Sequence, residues 1–223
     1  MTRGNIKTIA RKKLGEATAV FFEEADLDLW VNEALIDIVW QTRCKRQRTL
    51  CSLSVNTLRY TLSQLIPNVL RIITVRIYSD VLLKWRKLYE KDYDFLDERY
   101  PQWMSNDAAT PLYYVYDREI DEFIVFPKAQ GTVAVPDYTG TNYLEVYNST
   151  LPTPLTDDNQ TPTDIPVQLQ PAITEYVVAT GLEARGYQDI ADNHWQKYTG
   201  KLGSYMTQRE IEEDESIEMH GSR

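Results

Sequence analysis

Two histidines, two cysteines and several carboxylate pairs are the only side chains whose types and spacing could do chemistry. His194 sits beside Trp195 on an apolar helical stripe, and His220 lies close to the last residue. No serine, cysteine or carboxylate motif accompanies His194, so it reads as a satisfied core or interface histidine, not a general base. Cys44 and Cys51 stand without further ligands and make neither a disulfide framework nor a zinc site; they read as free, partly buried thiols. Asp92 with Asp94, and Asp97 with Glu98, resemble acid/base pairs. In a chain with 33 acids such pairs carry almost no specificity. No glycine-rich phosphate loop, HExxH, calcium loop or CxxC pair is present. The expectation is no enzyme, no cofactor and no metal.

Ten of the fifteen tyrosines fall between Tyr78 and Tyr147. Tyr113, Tyr114, Tyr116, Tyr138, Tyr143 and Tyr147 could stack on sugars or bases, which would make a carbohydrate- or surface-binding module. Aromatic residues are also favoured in strands, so the same rings could be the amphipathic skin of a small sheet.

Charge is laid out unevenly. The net charge is −9, yet Arg3, Lys7, Arg11, Lys12 and Lys13 precede the first acid, Glu16, whereas Glu210, Glu212, Glu213, Asp214, Glu215 and Glu218 crowd the other end. These ends are either solvated and fraying or become ordered against a partner. Arg43, Lys45, Arg46 and Arg48 form a second basic group, which pairs with a partner's acids or solvates a helix end. An acidic chain with so few other cations is a poor sequence-specific nucleic-acid reader. A hydrophobic share of 43% excludes a disordered chain. No apolar run reaches the ~20 residues of a membrane span, and the opening residues lack the apolar core of a secretory signal. The expectation is a soluble protein that matures in the cytoplasm where it is made.

The elements follow from periodicity. Residues 5–15 read as a short helix. Residues 26–43 read as a second, with Asp26 as N-cap and Leu27, Trp30, Val31, Ala34, Leu35, Ile38 and Val39 on its buried face. From residue 49 the period becomes two: strands are expected around Leu53–Val55, Arg59–Leu62, Leu70–Tyr78, Leu82–Leu88, Leu112–Tyr116, Glu122–Phe126 and Gly131–Val135. A short helix carrying Phe95, Leu96 and Tyr100 interrupts them and ends at Pro101. Residues 136–166 hold five of the ten prolines and, apart from Tyr143–Tyr147, read as a long surface loop or arm. Helical period then returns in two helices separated by Gly186. Gly200 and Gly203 weaken the second, which either bends there or lets another helix approach.

The expected fold class is α+β: N- and C-terminal helices packed as a helical bundle (1–48 and 166–208), with an inserted antiparallel β lobe (49–165) and an acidic tail (209–223) without structure of its own.

The run FEEADLDLWVNEALIDIVWQTRCK, then DYDFLDERYPQW, TPLYYVYDREIDEFIVFPKAQGTVAV and DIPVQLQPAITEYVVATGLEARGYQDIADNHWQKY resemble, in order and character, the head-to-tail connector adaptors of tailed bacteriophages. The resemblance covers roughly residues 20–205. It implies a structural virion protein of the neck, binding the portal protein on one side and tail or nozzle proteins on the other. It implies a homo-oligomeric ring, of about twelve copies, with closed symmetry. DNA would pass through its channel without sequence-specific binding, and no membrane is involved. The portal contact is expected in the last segment, at Tyr205, Met206, Arg209, Ile211, Ile217 and Met219. Neighbour or tail contacts are expected at Tyr138, Tyr143, Tyr147, Leu151 and Leu155. A different ring of the same virion, a nozzle or tail-completion component, shares these features.

Overall fold

A computed structural model describes residues 1–16, 21–79, 84–130 and 143–221. Among them the chain runs α1 (Arg3–Lys13), α2 (Glu24–Thr42), β1 (Arg46–Ser52), β2 (Arg59–Thr61), α3 (Leu62–Leu65), β3 (Val69–Ser79), β4 (Lys84–Glu90), α4 (Tyr93–Arg99), β5 (Tyr113–Asp117), β6 (Glu122–Phe126), β7 (Tyr143–Thr150), α5 (Gln170–Ala184) and α6 (Gln188–Gly221). The protein is mixed α+β and divides into two compact units, Met1–Lys45 with Leu151–Arg223, and Arg46–Thr150. No described helix is long and apolar enough to cross a membrane.

In the helical unit α5 contacts α1, α2 and α6, while α2 also contacts α1 and α6. Thr2 caps α1, its hydroxyl accepting from the Asn5 amide at 3.3 Å. The start of α2 corrects the expected cap. Glu23 is the N-cap and Asp26 is the third helical residue, whose carboxylate accepts from the Glu23 amide at 2.9 Å. Leu27, Val31, Ala34, Leu35, Ile38 and Val39 are buried as their spacing requires, and Trp30 packs edge-on against Phe22 with ring centres 5.0 Å apart. Ile173, Val177 and Val178 of α5 complete this core with Ala191, Tyr198 and Leu202 of α6. Gly186, at φ +78°, makes the turn between α5 and α6, a left-handed conformation that glycine adopts without a Cβ clash.

Gly200 and Gly203 neither end nor break α6, and a Cβ at either would meet nothing within 4 Å. The stretch from 209, expected to be unordered alone, continues α6 to Gly221. Its glutamates are good helix formers, which favours continuation over coil.

The second unit is a seven-stranded sheet in the order β1-β7-β3-β4-β5-β6-β2. Every joint is antiparallel except β4–β5, which is parallel, so the expected all-antiparallel lobe is corrected at that point. Short hairpins can join only antiparallel neighbours, and α4 with the stretch after it supplies the longer crossover. Cys51, Leu62, Ile66, Val75, Ile77, Leu88, Phe123, Val125, Leu144 and Val146 share one core. Leu58, Leu96, Trp103, Val115, Ile124 and Phe126 form another on the α4 side.

The largest departure from the sequence reading is β7. It lies inside the expected arm yet pairs with both β1 and β3. Its buried Glu145, Asn148, Ser149 and Thr150 conceal it from a hydropathy pattern. Residues 151–165 are also held down. Leu155 donates its amide to Asn32 Oδ1 at 2.8 Å and its carbonyl accepts from Arg3 Nη1 at 2.9 Å. The expected strand at Gly131–Val135 lies outside the described residues.

Candidate interaction surfaces

The residues expected to touch partners fall in different places. Tyr205 and Met206 are half-buried on α6, and Arg209 Nη1 donates to the Thr42 carbonyl at 2.7 Å, tying α6 to the end of α2. Ile211, Ile217 and Met219 lie on the last part of α6, where only the backbone is described, and Tyr138 lies outside the described residues. Tyr143 opens β7 and Tyr147 is half-buried on the same strand. Leu151 is partly exposed, whereas Leu155 is buried in its own chain and offers little side chain to a partner.

The basic cluster of α1, which the sequence allows to be solvated or partner-ordered, is folded inward. Arg3, Lys7 and Arg11 recur every fourth residue, so they form one row on the helix, and all three are buried. Glu24 and Asp28, also four apart, face them from α2. Lys7 Nζ lies 2.8 Å from Glu24, 2.9 Å from Asp28 and 2.8 Å from Asp158. Burial alone would lower the Lys7 pKa, but bonds to Asp158, Glu24 and Asp28 outweigh it and raise it. Lys7, with Arg11, holds the Glu24 carboxyl below its usual range; Lys7, with Arg3, does the same for Asp158. Arg11 also reaches buried Glu16 at 3.2 Å, and Arg185 of the loop after α5 pairs with the same carboxylate. Matching four-residue spacings in 3–11 and 24–28 are the sequence signal for this ladder.

His194 is satisfied, its Nδ1 lying 2.7 Å from Glu175 Oε2 while Lys13 Nζ holds Oε1 at 2.7 Å. Burial tends to raise the Glu175 pKa, and the bonds from Lys13 and His194 lower it overall. Burial raises both thiols, Cys51 to about 12, which keeps it protonated and unreactive at neutral pH. Tyr198 donates to Asp37 within a cluster of edge-on rings with Tyr176 and Trp195. Tyr114 is buried and stacked on Phe123 at 5.8 Å, and Tyr113 packs against Phe95 at 5.3 Å. These tyrosines therefore serve the sheet's own packing.

Two further surfaces are formed by described residues. On α2, Leu29, Ile36 and Trp40 share a face at helical spacing and are 57%, 45% and 57% exposed. That gives α2 apolar residues on two sides, a pattern of helices with neighbours all round. On the sheet, Arg48 and Arg76 flank buried Glu145, at 2.5 and 3.8 Å, and the Arg76 guanidinium lies 5.3 Å over the Tyr147 ring. Lys45, one of the two cations of the Arg43–Arg48 run that lie in the helical unit, pairs with Asp164 at 2.9 Å.

No curated protein matches this chain. A family model described as SU10 adaptor protein matches residues 1–218, covering both units and the sequence stretches that resemble phage connectors. The chain belongs to the SU10 adaptor protein family, a family of phage head-to-tail adaptors.

Proposed function

We propose that this protein is a structural component of the virion neck that joins the portal to the tail or nozzle, as a ring of about twelve copies with closed symmetry. The observation that carries the reading is the family match, which runs through the helical unit, the sheet unit and most of α6. In this reading the helices of each copy act as one bundle, packed side by side with those of its neighbours around the DNA channel. The exposed Leu29, Ile36 and Trp40 stripe on α2 supports such lateral packing, because an apolar face is costly to leave in water and cheap to cover with a second copy. The end of α6, from Tyr205 to Met219, is the arm toward the portal. Tyr143, Tyr147 and Leu151 stand at the neighbour or tail side. The protein is made in the host cytoplasm and acts in the particle by binding, not by catalysis.

Native mass spectrometry of the purified chain, alone and with added portal rings, tests this. Monomer alone and many copies on the portal are expected, and Ile36→Asp should lower the number bound while leaving the fold intact. A chain that never associates with portal would overturn the reading.

A further inference from the structure

The middle of α6 has no part in the reading above. The helix runs unbroken through Gly200, which weakens it without a packing reason in its own chain: among the described residues nothing lies within 4 Å of a Cβ built there. Lys197 and Lys201 stand one turn apart, with no acid three or four residues from either along α6, so they repel one another. Together with Gly200 and Ser204 they line a groove of about 450 Å³. The exposed stripe of α2 has the opposite character. Half-buried Glu33 lies between Leu29 and Ile36 on it, with no cation three or four residues away along α2. Glu33, Ile36, Asp37 and Trp40 recur at i, i+3, i+4 and i+7, and so do Lys197, Gly200, Lys201 and Ser204. The order on α2 is acid, large, acid, large; on α6 it is base, small, base, small.

We infer that the α2 stripe of one copy lies along the α6 groove of the next, parallel to it, with Glu33 beside Lys197 and Ile36 over Gly200. Asp37 is also bound by Tyr198 and Gln41 of its own chain, and Trp40 has contacts there too, so the match rests chiefly on Glu33 and Ile36. Large side chains facing small ones let two helices approach closely, and each lysine gains the carboxylate that its own helix does not supply. The direction follows from symmetry. Within one copy Tyr198 meets Asp37 and Arg209 meets Thr42, so α2 and α6 run the same way. Rotation about a ring axis preserves the sense of helices lying along it, so α2 and the next copy's α6 also run parallel. Two different patches make a heterologous contact, which continues beyond two copies, whereas stripe against stripe would be isologous and stop at a dimer. This contact rests on the adaptor reading for its ring and names the surface that covers the stripe.

Disulfide trapping in the full chain tests it without portal. One chain carries Ile36→Cys and a second Gly200→Cys, both with Cys44→Ser to remove the half-buried native thiol. Both sites tolerate the change, since Ile36 is exposed and a Cβ at Gly200 meets open space. One helix pair buries less than a stable interface needs, so the mixed chains are oxidised at about 200 µM, where transient encounters are trapped. Expected is a disulfide between the two chains, exceeding either homodimer about fivefold or more because only facing Cβ atoms are bridged. Glu33→Lys on the first chain should cut its yield about fivefold, and Lys197→Glu on the second should restore it. Absence of the mixed disulfide, an Ile36→Cys homodimer in equal amount, indifference to Glu33→Lys, or no restoration by Lys197→Glu would overturn the inference. Because no portal is present, such a failure is distinct from failure of the natural chain to associate with portal, which is the test of the adaptor reading.

Discussion

Lys7 shows how a single residue is made to serve structure where its type suggests solvent. Its ammonium is buried among carboxylates of α2 and the 151–165 stretch, so removing it strands their charge. Lys7→Met should destabilise the fold by on the order of 2 kcal/mol, less than a fully buried pair because Glu24 and Asp158 are half-exposed and water screens them. The acid dependence has a definite sign. Glu24 and Asp158 titrate lower in the folded chain than the ordinary values of about 4.3 and 3.9. Their contribution is complete above those ordinary values and lost as pH falls through the lower folded ones. Thermal melts from pH 7 to 3 should show Asp158→Asn less stable than the natural chain at pH 7, with the gap closing at the acid end. A gap that stays constant would mean the carboxylate contributes no charge interaction.

At the scale of elements, the glycines of α5 and α6 make opposite predictions. A Cβ at Gly200 or Gly203 meets open space, so Gly200→Ala with Gly203→Ala should stabilise the isolated protein, by up to about 1 kcal/mol per site. A Cβ at Gly181 lies 3.0 Å from Leu14 Cδ2 and 3.4 Å from Phe22, and Gly181→Val should cost about 1–3 kcal/mol through overpacking. Denaturant titrations of both variants would distinguish them, and stabilisation by Gly181→Val would contradict the packing. Elements with a strong apolar period were legible in the sequence: the buried face of α2, the β5–β6 hairpin, and the α5–α6 pair with its turn at Gly186. Elements that bury polar groups were not. β7 conceals a central strand behind Glu145, Asn148, Ser149 and Thr150, and α1 buries Arg3, Lys7 and Arg11. Their stability depends on partners far away in sequence, such as Thr49 beside Asn148 and Asp158 beside Lys7, which a one-dimensional pattern cannot display. The grouping of Arg48, Tyr147, Arg76 and Lys87 on one side of the sheet was missed because it needs the register of four strands.

For the whole molecule, the portal arm is the part of the proposed function that can be removed. Arg209 fastens α6 to the Thr42 carbonyl, so a chain ending at 209 keeps that contact and loses the acidic stretch. Pull-down on purified portal should fall at least tenfold for the 1–209 chain; undiminished binding would take the arm out of the mechanism.

The path by which the chain enters and leaves the sheet unit has a consequence of another kind. Lys45 Nζ donates to the Leu151 carbonyl at 2.9 Å, and β1 and β7, which begin and end the sheet unit, are paired neighbours from Arg46↔Ser149 onward. The sheet unit is therefore a single insertion in the chain whose entering and leaving strands lie side by side. Bridging ends so close costs little chain entropy whatever the length of the insert. The inserted part can thus be enlarged, trimmed or replaced while the helical unit keeps its own packing.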